Sequence, residues 1–166
     1  MQIEPLDPHS PAALSLLAQS DAYMAALYPS ESNHLEDPHA LAQPQVRFIG
    51  VWLAEWLAGC AAVKVVDDAE VPYGEIKRVF VQPHFRGRGI SKMLMEELES
   101  HLRAQGIELA RLETGVHQPE ALKLYERLGY DRRAPFGNYA EDPLSVFMEK
   151  RLTASGVPAE SQPRAS

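Results

Sequence analysis

The sequence predicts an α/β or α+β domain around one mixed β-sheet. Three observations carry that prediction. Apolar, β-rich segments alternate with segments of helical periodicity, Pro and Gly punctuate the boundaries between them, and no segment repeats. A chain of 166 residues that is 45% hydrophobic and 23% charged is long enough to bury one core of ordinary composition.

Ser10 to Leu27 reads as a first helix, with Ser10 as N-cap, Pro11 at the first helical position and Leu14, Leu17 and Met24 on its inner side. Tyr28 to Gln45 is polar and broken by Pro29, Pro38 and Pro44, as expected of a loop with a short helix and of a substrate lid. Val46 to Trp52 and Leu57 to Val66 read as a hairpin around Ala54-Glu55-Trp56. Gly74 to Gln82 is the next strand. Simple alternation places Glu75, Lys77, Val79 and Val81 on one face, with Ile76, Arg78 and Phe80 on the other.

After Pro83, the spacing of Ile90, Met93, Leu94, Leu98 and Leu102 predicts a helix that Gly106 stops. Leu109 to Val116 reads as a strand, Pro119 to Leu128 as a helix closed by Gly129, and Leu144 to Leu152 as a last strand. Residues 1–152 are thus expected to form a single domain. The Ser-, Pro- and Ala-rich tail from Thr153 is expected to be disordered.

The net charge of -7, with no basic tail, argues against a nucleic-acid partner and suits a cationic acceptor. No apolar run is long enough to span a bilayer, and Met1 to Pro5 lacks the features of a signal peptide, so the cytoplasm is the expected compartment. The lone Cys60 sits among apolar strand residues and reads as a buried hydrophobe. His34 and His39 with Glu36 and Asp37 lack the spacing of a closed metal site, so no metal is expected.

Lys77, Arg78, Arg86, Arg88 and Lys92 crowd into one segment of this acidic chain, as a small polyanion would require. Within that segment, Arg86-Gly87-Arg88-Gly89-Ile90-Ser91 lies between a strand and a helix. A helix start leaves backbone N–H groups unpaired and carries partial positive charge, and glycines there let a phosphate approach. The P-loop pattern is absent, and the Rossmann spacing fails because Lys92 stands where its third glycine would be.

The stretch from Val79 to Ile90 resembles the central motif of the GCN5-related N-acetyltransferase (GNAT) superfamily, [QR]-x-x-G-x-[GA]. Arg86 and Gly89 match, and Ser91 stands in place of the final Gly or Ala. Gln118 to Tyr130 resembles a second family block, N-x-x-A-x-x-L-Y-E-x-x-G-[FY], with Gln118 in place of Asn. Together these cover roughly residues 46 to 150.

The resemblance implies a central, mostly antiparallel sheet flanked by helices, with acetyl-CoA as donor. It implies that the pyrophosphate sits on Arg86, Gly87, Arg88, Gly89, Ile90, Ser91 and Lys92, with the pantetheine arm along Val79, Phe80 and Val81 and near Gln118. It also implies direct attack by an amine, with Tyr125 as general acid and Glu75, directly or through water, as the leading base. Glu113 and the weaker His117 compete with Glu75. Tyr28, Glu31 and His34 in the early loop are the expected acceptor contacts, with residues 136–139 closing the other side. The acceptor is expected to be a small or amino-acid-like primary amine. Homodimers are common in the family. The alternative is a non-catalytic acyl-CoA sensor or regulatory module.

Overall fold

The computed structural model describes residues 1–153. The tail expected to be disordered lies, apart from Thr153, outside the described residues. Seven strands form one sheet: β1 (Gln2–Pro5), β2 (Val46–Leu53), β3 (Trp56–Val66), β4 (Tyr73–Val81), β5 (Leu109–Gly115), β6 (Asp131–Arg133) and β7 (Ser145–Arg151). Four helices accompany them: α1 (Pro11–Leu27), the short α2 (Pro38–Leu41), α3 (Ile90–Ala104) and α4 (Pro119–Arg127). The sheet order is β1-β2-β3-β4-β5-β7-β6, antiparallel except between β4 and β5. This is the mixed, mostly antiparallel sheet flanked by helices that the resemblance implies. No helix among the described residues is long and apolar enough to cross a membrane.

Local chemistry accounts for the element ends. Ser10 caps α1, its hydroxyl accepting from the Ala13 N–H at 3.3 Å. Leu53 pairs with Trp56 across the two-residue turn Ala54-Glu55. Gly106, at φ +75°, ends the α3 region in the left-handed conformation that a residue with Cβ resists.

On one side of the sheet, Ile90, Leu94, Met95, Leu98 and Leu102 of α3 pack on Val51, Val63, Ile76 and Val81. On the other, Leu16 and Leu17 of α1 pack on Phe48, Cys60, Ala62 and Phe80. Each fully buried Leu contributes about 1.5–3 kcal/mol through area removed from water. The inner face of α1 differs from expectation. Ala13, Leu16, Leu17 and Ser20 are buried, whereas Leu14 is 43% exposed. Alanine and leucine occur all round this helix, so its periodicity does not single out a stripe.

β4 also departs from simple alternation. Cys60 pairs with Phe80 but Ala62 pairs with Lys77, so Arg78 and Val79 together oppose Ala61 in a β-bulge. Arg78 carries it at φ +57°. The extra residue shifts the side-chain phase. Glu75 and Lys77 therefore share the α1 face with Arg78 and Phe80, while Ile76, Val79 and Val81 join the α3 side. The expectation that Glu75 shares a face with Val79 and Val81 is overturned by this bulge.

The strands then part. β4 pairs with β5 only through Gly74–Ala110, Glu75–Arg111 and Ile76–Leu112, although β4 continues to Val81 and β5 to Gly115. The gap beyond Ile76 is the opening in which the candidate site lies.

Candidate functional site

On the α3 side of the gap is a cleft of about 610 Å³. Its walls come from Val79, Phe80 and Val81 of β4, the start of α3, and Gln118, Ala121, Leu124, Tyr125 and Leu128 of α4. The expected Arg86, Gly87, Gly89, Ile90, Ser91 and Lys92 all line it. Arg88 does not: its guanidinium lies over the Phe85 ring, 5.7 Å from the centroid.

The glycine loop is shaped by backbone conformation. Gly87 has φ +80° and Gly89 has φ +76°, and a Cβ on either would meet no atom of the chain within 4 Å. The space in front of them is open. Gly89 is the N-cap of α3 with no side-chain cap and no acidic residue in the following turn, and the first helical bond runs from the Met93 N–H to the Gly89 carbonyl. The donors ahead of Met93 face the cleft with the positive end of a fifteen-residue helix behind them. Lys92 adds charge. Arg86 turns back, donating from Nε to the Val81 carbonyl at 3.1 Å with its guanidinium 5.3 Å from the Tyr23 ring centroid. Tyr23, in α1, lines this cleft and was not singled out from the sequence, because nothing in the α1 pattern marks it.

A second, smaller cavity of about 80 Å³ lies on the α1 side of the same gap. Val79, Gln118 and Tyr125 line both spaces and form their common wall. The smaller cavity holds both carboxylate candidates for the base, Glu75 and Glu113, but not His117. The Glu75 carboxylate receives the Tyr139 hydroxyl at 2.6 Å and the Lys77 ammonium at 2.9 Å. Lys77 also reaches Glu36 of the early loop at 2.9 Å. Burial opposes the Lys77 charge, yet the Glu75 and Glu36 carboxylates outweigh it and hold its pKa above that of an ordinary lysine.

Glu113 stands on the β5 wall with one hydroxyl donor, Ser145 at 2.8 Å. Its burial raises its pKa despite that bond and the nearby His34 and Lys77 charges, and Glu75 adds to the rise. Tyr125 is 6% exposed. Burial first, and then the Glu113 charge, push its hydroxyl well above the usual phenol range; no hydrogen bond contributes.

The early loop folds over this cavity. Ser32 donates to Asp142 at 2.6 Å, His34 meets the Tyr139 ring edge-on at 5.1 Å, and Glu36 holds Lys77. His34 and Tyr139 line the cavity; Tyr28 and Glu31 do not. Tyr28 is buried and donates from its hydroxyl to Gln118 at 3.2 Å, while it accepts the His117 N–H at 3.0 Å. His117 is exposed and stacks on Tyr28. Of the five clustered basic residues, Lys77 and Arg78 turn away from the glycine loop to the smaller cavity, where each has a carboxylate partner.

A model of the Acetyltransferase (GNAT) family matches residues 14–130. The chain is 45% identical to the IAA acetyltransferase of Azospirillum brasilense over 87% of its own length and 94% of that protein's. It is 34% identical to YsnE of Bacillus subtilis, an uncharacterised N-acetyltransferase, over 84% of this chain and 91% of YsnE. A crystal structure from Klebsiella pneumoniae, provisionally assigned as an acyl-CoA N-acyltransferase, superposes with a TM-score of 0.75 at 33% identity, covering 92% of this chain and 97% of that one. The PaiA N-acetyltransferase of Thermoplasma acidophilum, solved with coenzyme A, shares the fold at a TM-score of 0.67 and 20% identity over 91% of this chain and 99% of its own. With the motif loop, the parted strands and these relatives in agreement, the chain belongs to the acetyltransferase (GNAT) family and is an acyl-CoA-dependent N-acyltransferase.

Proposed function

We propose that residues 1–152 act as one cytoplasmic domain that transfers an acetyl group from acetyl-CoA to the nitrogen of a small primary amine. The observation that carries this reading is the common wall. Val79, Gln118 and Tyr125 each border a long cleft with an uncapped helix start on one side and a small carboxylate-lined cavity on the other. A donor in the cleft and an acceptor in the cavity would meet there.

The residues fit the donor. The open space before Gly87 and Gly89 and the free N–H groups of the α3 start suit a pyrophosphate, with Lys92 beside them. The exposed edge of β4 beyond Ile76 offers backbone groups to an extended arm. Acetyl-CoA supplies a thioester whose carbonyl carbon gains a C–N bond as its C–S bond breaks.

Glu113 is the better-supported base. The Glu75 carboxylate is already engaged by an ammonium and a phenol. Glu113 has one neutral donor, and burial raises its pKa above that of an ordinary glutamate, which strengthens it as a proton acceptor. Glu113 takes the proton that the amine must lose, directly or through a water. Tyr125 keeps its proton to high pH and delivers it to the departing sulfur, then regains one from solvent. Glu75 holds Lys77 and Tyr139 in place around the acceptor.

The test pairs calorimetry with an acceptor screen read by mass spectrometry. Acetyl-CoA binds and a small amine gains an acetyl group. Tyr125→Phe lowers kcat by about 10²-fold or more, the usual worth of a general acid, with acetyl-CoA affinity nearly unchanged. Its Tm stays within about 2 °C, since the lost hydroxyl bonds nothing. An unaltered kcat removes Tyr125 from the mechanism, and CoA binding with no acetylated amine identifies a sensor instead.

A further inference from the structure

Lys77 and Arg78 both enter the small cavity, yet only one of them has binding capacity left over. Lys77 lies between Glu75 and Glu36, each at 2.9 Å, so two carboxylates already match its one charge. It also donates to the Tyr139 hydroxyl at 3.3 Å. Arg78 differs. Its side chain is 2% exposed, its Nη1 donates to Asp21 at 2.7 Å, and that carboxylate is itself 56% exposed. Its Nε is buried without a hydrogen-bond partner. A guanidinium carries five donors in a planar fork suited to a carboxylate. Satisfaction is the norm for buried polar atoms, so an orphaned Nε on a residue lining a cavity points to a missing partner.

The backbone sets this residue on the side of the sheet where the cavity lies. The β4 bulge at φ +57° turns Arg78 out of the α3 core and onto the α1 face, where it borders the cavity with Ser20 and Met24 of α1. Across the gap, the β5 wall presents Glu113 and the α4 wall presents Tyr125. The β4 side of the cavity thus carries Arg78 beside the mutually paired Lys77 and Glu75, and the β5 side carries the Glu113 carboxylate. Its volume of about 80 Å³ suits a small molecule.

Building on the acetyltransferase reading, we infer that the acceptor is an amino acid. Its amine lies toward Glu113 and Tyr125, and its carboxylate is received by Arg78. The guanidinium and Asp21 shift slightly to bring Nε onto the incoming oxygen. Arg78 is then a specificity-determining residue. An acceptor lacking the carboxylate leaves the fork unmatched in a buried site, which costs affinity far more than losing a surface contact.

The experiment uses the full chain with acetyl-CoA. The proteinogenic L-α-amino acids and a panel of carboxylate-free primary amines are screened as acceptors. Each amino acid turned over is compared with its α-amide and its decarboxylated amine. The expected result is a kcat/KM for the acid at least about tenfold above both analogues. Arg78→Gln raises the acid's KM by about tenfold or more and leaves the α-amide's KM nearly unchanged, and Arg78→Lys restores part of the difference because it keeps the charge without the fork.

Acetylation of carboxylate-free amines as efficiently as of amino acids overturns this inference and leaves the acetyltransferase reading standing. An equal effect of Arg78→Gln on acid and amide also overturns it. If acetyl-CoA binds and nothing in either panel is acetylated, the acetyltransferase reading fails and takes this inference with it. Should Arg78→Gln lose its fold by circular dichroism, the wild-type comparison of acid, amide and amine decides alone.

Discussion

Glu75 and Glu113 face one cavity from adjacent strands, but their surroundings separate them. Glu75 is held by Lys77 and Tyr139, whereas Glu113 is desolvated with a single hydroxyl donor. Two consequences follow for Glu113→Gln. In a pH–rate profile it removes the ascending limb that wild type shows above the ordinary glutamate pKa of 4.5, whereas Glu75→Gln keeps that limb. Loss of the limb in Glu75→Gln alone would return the base to Glu75. In denaturation, the sign follows from a folded-state pKa that is raised. The stability Glu113 contributes is complete below its unfolded pKa and declines as pH rises through the folded value. Glu113→Gln is therefore more stable than wild type at neutral pH, and the difference shrinks toward pH 4. Urea melts at both pH values measure it.

At the scale of elements, the loop into α3 and the bulge in β4 carry the proposed function. Gly89 holds φ +76° at the α3 N-cap with open space before it. Gly89→Ala forces a left-handed alanine, a cost of about 1–2 kcal/mol, and puts a methyl where an anion would approach. Calorimetry should show acetyl-CoA binding weakened by about tenfold, the equivalent of ~1.4 kcal/mol. This loop was legible in the sequence because glycine positions, helix periodicity and flanking charge are all local. β5, α3 and α4 were legible for the same reason. β1 and β6 were not: they hold four and three residues, too few for a period, and exist through their pairing with β2 and β7. The phase of β4 was also hidden. A non-glycine residue at positive φ is set by the tertiary surroundings, here the Asp21 partner of Arg78 and the parting of β4 from β5. So the carboxylates were found from the sequence, while the face they occupy was not.

Across the whole molecule, the early loop, β5 and α4 converge on Tyr28. Its hydroxyl accepts the His117 N–H and donates to Gln118, and a Cβ on Gly115 would overlap its hydroxyl and ring. Gly115→Ala must displace Tyr28. The expected cost is about 1–3 kcal/mol, read as a lower urea midpoint. Tyr28 was expected to touch the acceptor. Its observed place ties the early loop to the start of α4, a contact across 90 residues that no local pattern announces. Farther inside, Cys60 is the sequence's single cysteine and is wholly buried at the middle of β3, its thiol pushed up to about 12 by burial. It is chemically silent in the folded state and ordinary once the sheet opens. An alkylating reagent therefore becomes a clock for global opening. The labelling rate in native buffer, divided by that of the unfolded chain, gives the open population directly, and it should fall when a tight donor ligand is added.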